Sequence, residues 1–297
     1  MKVTPRVTRV ILCYVILRGV SSAAAPVPWT ENSSRGESGT RPWIALWRSR
    51  GLVGYLALRD LKLRYRQAAL GVVWVLLQPI ATVAIFTLVF DRLAGISSQG
   101  VPYPLFALTG MVAWAYFSSA ATRASEVLVG NPSLVTKVYF PRIAAPAAGM
   151  LSPVVDLAVS LVLVAGFATY YQVWSGWNML AAPLWLLLLA ATTFGAALWL
   201  SALNVRYRDV QHALGPVLQL WLFASPVAYP AALLSGWKAS VYALNPMAGV
   251  IEFGRWSLLG TPWPGWRLLI SGTVIILMLA SGLSYFRRAE RSFADVI

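Results

Sequence analysis

The chain alternates between long uncharged stretches and shorter segments that carry most of its charge. Six of these stretches approach about 20 residues, the length that an α-helix needs to cross a hydrocarbon layer. Strands of a membrane barrel alternate in hydrophobicity over about 10 residues, whereas LWLLLLAATTFGAALWL (184–200) is apolar throughout. The pattern predicts an all-α integral membrane protein with spans at about 69–90, 104–121, 145–171, 179–203, 213–234 and 267–286.

The segment before the first span predicts a helix that lies on the membrane surface. At about 100° per residue, one face is apolar and the neighbouring face is basic. The apolar face holds Leu58, Leu61 and Tyr65, and the basic face holds Arg59, Lys62 and Arg66. Such a helix places its apolar face among acyl chains, and Trp43 and Trp47 suit the headgroup layer. The basic face either fixes topology alone or also binds an anionic ligand.

The first 42 residues predict a poorly ordered extension, followed by a membrane domain over 43–297. The start of the chain imitates a signal peptide, with small residues at 23–25. Cleavage there would leave the basic segment before the first span outside the cell, against the charge bias of membrane proteins. An uncleaved extension is therefore favoured, with residues 31–41 as a polar linker.

Composition and charge placement support the membrane assignment. The chain of 297 residues is 58% hydrophobic and 11% charged, which is too little polar surface for a soluble globule. The net charge is +14, but half of the 24 Lys and Arg precede Gln67. Among the later loops, those that are rich in Lys and Arg alternate with those that have one or none. This bias predicts two cytoplasmic termini rather than a nucleic-acid surface. The loop 235–267 is an exception, since it carries Lys238, Arg255 and Arg267.

Several kinds of chemistry are missing from the sequence. Cys13 and His212 are the only residues of their types, so a metal site is not expected. The chain contains no G-x-x-x-x-G-K-[ST] phosphate loop and no cluster typical of an enzyme, so its energy should come from another chain or from an ion gradient. Asp156 is the one charged residue expected inside a span. Two interpretations are open: a helix-end residue at the membrane interface, or a carboxylate that couples transport to protons.

Four stretches together resemble the permease subunit of ABC-2 type exporters of cell-surface polysaccharides. They are RDLKLRYRQAALGVVWVLLQP (59–79), NPSLVTKVYFPR (131–142), NVRYRDVQHALGPVLQLWLFASPVAYP (204–230) and LNPMAGVIEFGRW (244–256). The likeness covers about residues 43–297 and rests on the order and spacing of the four stretches. It implies a homodimer in the bacterial cytoplasmic membrane that pairs with two copies of a separate ATPase, which binds ATP and Mg. No cofactor is then expected in this chain.

The resemblance also implies roles for particular residues. Coupling to the ATPase falls on the loop between spans two and three and on the loop after span four: Asn131, Pro132, Leu134, Lys137, Tyr139, Phe140, Arg142, Arg206, Arg208 and Asp209. The apolar segment 245–260 is expected to be a re-entrant hairpin between spans five and six. Within it, Glu252 and Arg255 stand at i and i+3, close enough to pair at an outer gate.

A lipid-linked glycan is the substrate that the resemblance implies, and O-antigen fits best. The basic helix would bind its pyrophosphate through Arg59, Lys62, Arg64 and Arg66, and the polyprenyl tail would stay in membrane lipid. Aromatic rings would line the glycan pathway: Trp74, Phe86, Trp114, Tyr116, Phe117, Trp221 and Tyr229. Teichoic acid and the lipids or drugs of related exporters are further possible substrates. Two hypotheses from different classes of protein are proton-coupled transport through Asp156 and a membrane-embedded transferase.

Overall fold

The structure is a computed structural model, and it describes residues 47, 49–66, 73–131, 141–290 and 293. These residues all belong to one compact unit, Arg41–Ile297. The proposed extension 1–42 lies outside them. Five helices in the described part are long and apolar enough to cross a membrane: Leu76–Leu93, Tyr103–Glu126, Ala144–Tyr170, Gly176–Arg206 and Arg267–Ala289. The chain is therefore a multi-pass membrane protein, and the regular secondary structure of its described part is all helical.

Nine α-helices organise the described residues. They are α1 (Arg50–Arg66), α2 (Val73–Phe86), α3 (Tyr103–Glu126), α4 (Ala144–Tyr170), α5 (Ala182–Arg206), α6 (Asp209–Phe223), α7 (Trp237–Ala243), α8 (Pro246–Leu259) and α9 (Arg267–Ala289). Helix α2 continues as a π-helical segment over Thr87–Leu93, and a 3₁₀ segment, Gly176–Ala181, leads into α5. Helix α3 is the most deeply buried of the long helices and contacts α2, α4, α5, α6 and α8.

Helix α1 confirms the helix expected before the first span. Val53 and Leu56 are buried, and the helix packs on α4. Leu58, which belongs to the predicted apolar face of this helix, is 57% exposed and so is available to lipid. Helix α1 thus combines a face that anchors it to the bundle with a face that is open to its surroundings.

Small residues let the long helices approach closely. A Cβ added at Gly282 of α9 would lie 2.9 Å from the carbonyl oxygen of Gly195 in α5, so the two backbones touch. The same helices are joined by stacking of Trp199 on Tyr285 at 4.6 Å and by a hydrogen bond from Trp199 Nε1 to Ser281 Oγ at 3.2 Å. Close backbone approach at small residues is how membrane helices associate without a hydrophobic driving force.

The predicted fifth span, 213–234, is wrong as a continuous helix. Helix α6 ends at Phe223, and residues 224–236, the break segment, contain turns and a short 3₁₀ element, Ala231–Leu233. Pro226 and Pro230 have no backbone N–H to continue the helix. The remaining predicted spans exist, and the ends that the structure describes shift by a few residues; the predicted start of the first span lies outside the described residues. The helical path of the first span, for example, runs on through the charged residues Asp91 and Arg92.

Two short helices, α7 and α8, follow the break segment. The Asn245 side chain caps α8 by accepting a hydrogen bond from the Met247 N–H at 3.0 Å, and Pro246 follows at the first helical position. Gly260 ends α8 in a left-handed conformation, with φ 72°. The motif NPMAGVIEFGRW (245–256) therefore encodes one well-delimited helix, and most of its residues are buried.

Candidate functional site

A polar cleft of about 600 Å³ lies between α2, α3 and α4, with Leu222 of α6 at its edge. Uncharged polar side chains line much of it: Gln78, Thr82, Ser118, Ser119, Thr122 and Ser160. The Thr82 and Thr122 hydroxyls donate to carbonyls of their own helices, at 3.0 and 2.8 Å, so the lone pairs of both oxygens can accept hydrogen bonds from a ligand. The cleft thus offers acceptors in a region that is otherwise apolar.

Charged groups also line the cleft. Arg123 and Glu126 stand on the last turn of α3, while Asp156 lies near the middle of α4. The interpretation of Asp156 as a helix-end residue is wrong, because α4 begins at Ala144, twelve residues before it. A carboxylate at mid-helix is costly unless it meets water or polar partners, and the cleft supplies such surroundings.

The aromatic residues predicted for a pathway separate into two groups. Trp114 and Tyr116 line the cleft. Phe117 is fully buried and packs behind them, 5.4 Å from Trp114 and 5.1 Å from Trp221 between ring centroids. Trp221 also donates from Nε1 to Asn245 Oδ1 at 3.0 Å, which ties α6 to the cap of α8.

The other predicted aromatics lie away from the cleft. Phe86 packs edge-on against Phe90, with ring centroids 5.5 Å apart. The Tyr229 hydroxyl donates to the Phe223 carbonyl at 2.8 Å and accepts from the Tyr242 hydroxyl at 3.0 Å, so it bridges the end of α6 to α7. The side chain of Trp74 lies outside the described residues.

A fully buried arginine, Arg255, joins three elements. Its Nε donates to the Phe106 carbonyl at 3.2 Å, its Nη2 donates to the Val227 carbonyl at 2.7 Å, and its Cζ lies 3.5 Å from the Phe106 ring centroid. Nη1 contacts Glu252 Oε1 at 3.5 Å, which confirms the predicted i, i+3 pair. The same Glu252 oxygen accepts from the Ala231 N–H at 3.0 Å. Each charge therefore has several polar partners, as burial at this depth requires.

Side chains from outside the break segment donate hydrogen bonds to its backbone carbonyls. Where a helix is interrupted, its freed carbonyls need other donors if they are away from water. Tyr103 of α3 donates to the Ala228 carbonyl at 2.6 Å, and the Asn245 amide donates to the Ala224 carbonyl at 3.0 Å. Arg267, at the start of α9, donates to the carbonyls of Ala231 and Leu234, both at 3.3 Å.

The other end of α9 is joined to the end of the loop between α3 and α4. The Arg142 N–H donates to Glu290 Oε1 at 3.2 Å, and the Arg142 guanidinium donates to the Glu290 carbonyl oxygen. Burial raises the pKa of the Glu290 carboxyl, and the N–H and charge of Arg142 and the charge of Arg287 offset part of this rise. The guanidinium also lies 5.9 Å from the ring centroid of buried Phe293.

Several residues assigned to ATPase coupling or pyrophosphate binding are only partly described. Residues 132–140 lie outside the described part, and with them Pro132, Leu134, Lys137, Tyr139 and Phe140. The Asn131 amide donates to the Val127 carbonyl at 2.9 Å. The loop between α5 and α6 is open, because Arg206, Arg208 and Asp209 are exposed.

On the basic helix α1, Arg59 forms an ion pair with the adjacent Asp60. Arg59 Nη2 lies 3.1 Å from Asp60 Oδ1, so part of its charge is offset locally. Lys62 is exposed, and the side chains of Arg64 and Arg66 lie outside the described part of the chain.

Sequence reasoning missed Tyr103, Asn245, Arg267 and Glu290 as structural ties. Asn245-Pro246 is a helix-start signal that could have marked the first residue of α8. Partners of the other three lie far along the chain; 148 residues separate Arg142 from Glu290, for example. No local pattern indicates such a contact.

Comparison with known proteins agrees with this architecture. The profile of the ABC-2 type transporter family matches residues 51–259, which is most of the membrane domain. The chain therefore belongs to the ABC-2 type transporter family.

Relatives within that family are permease and transport proteins. The chain is 29% identical over 256 residues to the O-antigen export system permease protein RfbA of Myxococcus xanthus, covering 85% of this chain and 97% of that protein. It is 24% identical over 241 residues to the Klebsiella pneumoniae protein of the same description, covering 80% and 92%. It is 23% identical over 239 residues to the polysialic acid transport protein KpsM of Escherichia coli, covering 80% and 93%.

Proposed function

We propose that this chain is the permease subunit of an ATP-driven exporter that moves a lipid-linked polysaccharide, of O-antigen type, across a bacterial cytoplasmic membrane. The observation that carries the proposal is similarity over nearly the whole length of permeases described as O-antigen export proteins. The polar cleft supports it, because a transported glycan needs hydrogen-bonding groups at membrane depth. Transport rather than catalysis is the proposed role of this chain.

In the proposed topology, α6 and the first residues of the break segment form a sixth crossing, and both termini lie in the cytoplasm. Five long helices account for five of the six expected crossings. Helix α6 has 15 residues, so it needs the first residues of the break segment to complete the sixth. The hairpin expected over 245–260 is not formed within that segment, because α8 occupies it as a single helix. In the proposed topology, α7 and α8 together form the re-entrant element. The basic residues before α2 and after α9 support this orientation.

The proposed complex contains two copies of this chain and two copies of an ABC ATPase that binds ATP and Mg; nucleic acid has no role in it. A second copy is supported by the large apolar side chains exposed on α2, on its π-helical continuation and on α6: Leu77, Ile85, Leu88, Val217, Leu220 and Phe223. The ATPase would dock on the loop 131–142 and on the exposed residues Arg206, Arg208 and Asp209.

The glycan would enter through the cleft. In the proposed topology the last turn of α3, with Arg123 and Glu126, faces the cytoplasm, and the cleft runs from there to Ser160. Trp114 and Tyr116 line the cleft, where aromatic rings can pack against sugar C–H groups, and the serine and threonine oxygens can accept from sugar hydroxyls. The pyrophosphate would bind Lys62 and the neighbouring arginines of α1.

The exit would be controlled at the outer end by the pair Glu252 and Arg255. Arg255 links α3, α8 and the break segment, so any movement that separates these three elements must exchange its hydrogen bonds. This is the arrangement expected of a gate with two packed states.

Reconstitution tests the proposed function. Vesicles that contain the permease and its ATPase partner should move a fluorescent lipid-linked O-antigen fragment when ATP is added. The matched control contains an ATPase variant that binds ATP but does not hydrolyse it, and it should show no movement. Equal movement by vesicles of the permease alone would overturn the proposal.

Proton-coupled transport is the second candidate, and the position of Asp156 inside the cleft favours it over a membrane-embedded transferase. This mechanism requires the carboxyl to gain and lose a proton in each cycle. In that case Asp156→Asn should abolish transport driven by a pH gradient. Under the ATP-driven mechanism, the same variant should keep ATP-dependent transport within about tenfold of the wild type, the effect of one charge-assisted hydrogen bond.

A further inference from the structure

Helix α9 is attached at its carboxyl end to the loop that the proposed function assigns to the ATPase. The attachment is reciprocal, because the side chain of Arg142 bonds the main chain of Glu290 and the side chain of Glu290 bonds the main chain of Arg142. Phe293 reinforces it: its ring lies beneath the Arg142 guanidinium and packs edge-on against Phe286 of α9, with ring centroids 5.4 Å apart. Displacement of the loop end therefore displaces the end of α9.

The amino end of α9 is attached to the break segment. Arg267 donates to the carbonyls of Ala231 and Leu234. One turn further along, the buried Ser271 hydroxyl donates to the Ala243 carbonyl at 2.8 Å, which connects α9 to α7. The two carbonyls bonded by Arg267 belong to the break segment. Glu252 and Arg255 bond the Ala231 N–H and the Val227 carbonyl of the same segment.

Between its two ends, α9 is one uninterrupted helix. It has 23 residues and no internal proline, so it spans about 34 Å at 1.5 Å per residue. It touches α5 at Gly282, where no side chain separates the backbones. A continuous hydrogen-bonded helix is stiff along its axis, and kinks occur at prolines, Gly/Ser pairs, π-bulges or inserted groups. Helix α9 has two Ser-Gly pairs, at 271–272 and 281–282, but the helix is unbroken at both.

We propose that α9 carries the motion of the ATPase-coupling loop to the outer gate, with Glu290, Phe293 and Arg267 as positioning residues at its two ends. This inference rests on the proposed function, which supplies both the coupling loop and the gate. None of the three residues lines the cleft. Their role is to join the ends of α9 to segments that are distant in sequence, so that one axial displacement reaches both membrane faces.

A cysteine reporter in the break segment tests the proposal. Cys13 is the only cysteine, so Cys13→Ser gives a thiol-free background. Leu233→Cys then adds a thiol at a side chain that is 59% exposed. In the purified permease–ATPase complex, the rate of maleimide labelling at residue 233 should change when ATP is added. In Glu290→Ala and in Phe293→Ala, this ATP-dependent change should fall at least about fivefold, the lower range of allosteric coupling.

Matched variants separate transmission from general damage. Arg288→Ala alters an exposed residue at the same end of α9 and should keep the full response. Glu290→Gln keeps an oxygen acceptor for the Arg142 N–H and should also keep the full ATP response at residue 233. A thiol at Leu93, exposed beside α2, should report the same ATP response with or without Glu290→Ala. Arg267→Gln, at the opposite end, should lose the response at residue 233 as Glu290→Ala does.

A full ATP response at residue 233 in both Glu290→Ala and Phe293→Ala would overturn the proposal, and so would a wild-type complex without any response there. If Glu290→Ala does not fold, Phe293→Ala and Arg267→Gln decide the same question. Failure of the proposed function has a different signature, because the wild-type complex would then move no glycan with ATP, whatever the labelling at residue 233.

Discussion

Gly110 of α3 lies directly against the guanidinium of Arg255: a Cβ added at Gly110 would stand 2.7 Å from Nη2 and 3.0 Å from the Val227 carbonyl oxygen. Those two atoms are themselves hydrogen-bonded, at 2.7 Å. The missing side chain at Gly110 therefore makes room for the contact between the buried arginine and the break segment.

We expect Gly110→Ala to weaken this contact and to destabilise the protein by about 1–3 kcal/mol, as overpacking does in other cores. The measurement is the midpoint of thermal unfolding in detergent. Gly166→Ala is the control, since a Cβ at Gly166 meets nothing within 4 Å. Equal midpoints for the two variants would show that Arg255 moves aside without cost.

The contact between α5 and α9 gives a second prediction. Gly282→Leu should separate the two helices, because the backbone oxygen of Gly195 and the ring of Trp199 occupy the space that a side chain would need. We expect a loss of about 1–3 kcal/mol, together with a loss of ATP-dependent transport. Gly272→Leu on the same helix meets open space and should behave as the wild type. A stable, active Gly282→Leu variant would contradict close packing at this position.

Glu290 makes stability depend on pH. Its pKa is raised in the folded protein, so the folded state binds the proton more tightly than the unfolded state does. The contribution of Glu290 is therefore fully present below the ordinary glutamate pKa and is lost as pH rises through the raised value. Glu290→Gln removes this dependence and keeps an acceptor for the Arg142 N–H.

The measurement is the difference in unfolding midpoint, wild type minus Glu290→Gln, over a pH series that starts near the ordinary glutamate pKa. We expect this difference to decrease as pH rises. Other titrating groups cancel in the comparison, because both proteins contain them. A difference that stays constant or increases with pH would rule out a raised pKa at Glu290.

Hydroxyl groups of the cleft give a prediction for transport. Thr82→Val removes an oxygen that lines the cleft, and we expect export to fall about fivefold, the effect of one neutral hydrogen bond of about 1 kcal/mol. Thr273→Val is a matched control, since both hydroxyls donate to a carbonyl four residues earlier, but Thr273 is exposed on α9. Equal export by both variants would place the glycan elsewhere.

The basic face of α1 gives the last prediction. Arg59 and Arg66 changed together to Ala should reduce export while insertion into the membrane is retained, because the proposed pyrophosphate site would lose two of its charge-assisted donors. Asp60→Asn is the informative companion: it frees Arg59 from its neighbour and should not reduce export. Normal export by the double variant, with normal insertion, would exclude a pyrophosphate role for these residues.

Much of the fold follows from the sequence because lipid imposes simple constraints. An apolar run of about 20 residues can satisfy its backbone in lipid only as a helix or as part of a closed barrel, and five predicted spans correspond to long helices. The fifth failed because apolarity does not distinguish a helix from a buried break. In 224–236 the decisive signal is local, with Ser225-Pro226 and Pro230 ending the helix, while the hydropathy of the run indicates only burial.

The candidate site was less predictable than the fold. The i, i+3 spacing of Glu252 and Arg255 was sufficient to predict their pairing. It could not reveal that Arg255 also reaches Phe106 and Val227, which requires the packing of three elements. The cleft is likewise formed by three helices, so the sequence alone could not decide between the two interpretations of Asp156.

The break segment also constrains how the protein is made. Its carbonyls are held by Asn245, Arg255 and Arg267, which all leave the ribosome after it. Until Arg267 at the start of α9 has been synthesised, the carbonyls of Ala231 and Leu234 lack their donor, and the segment cannot take its final place away from water. We therefore expect biogenesis to finish with a late docking step, in which the last helix allows the preceding crossing to settle. A nascent chain truncated before Arg267 should then be a substrate for quality-control proteases.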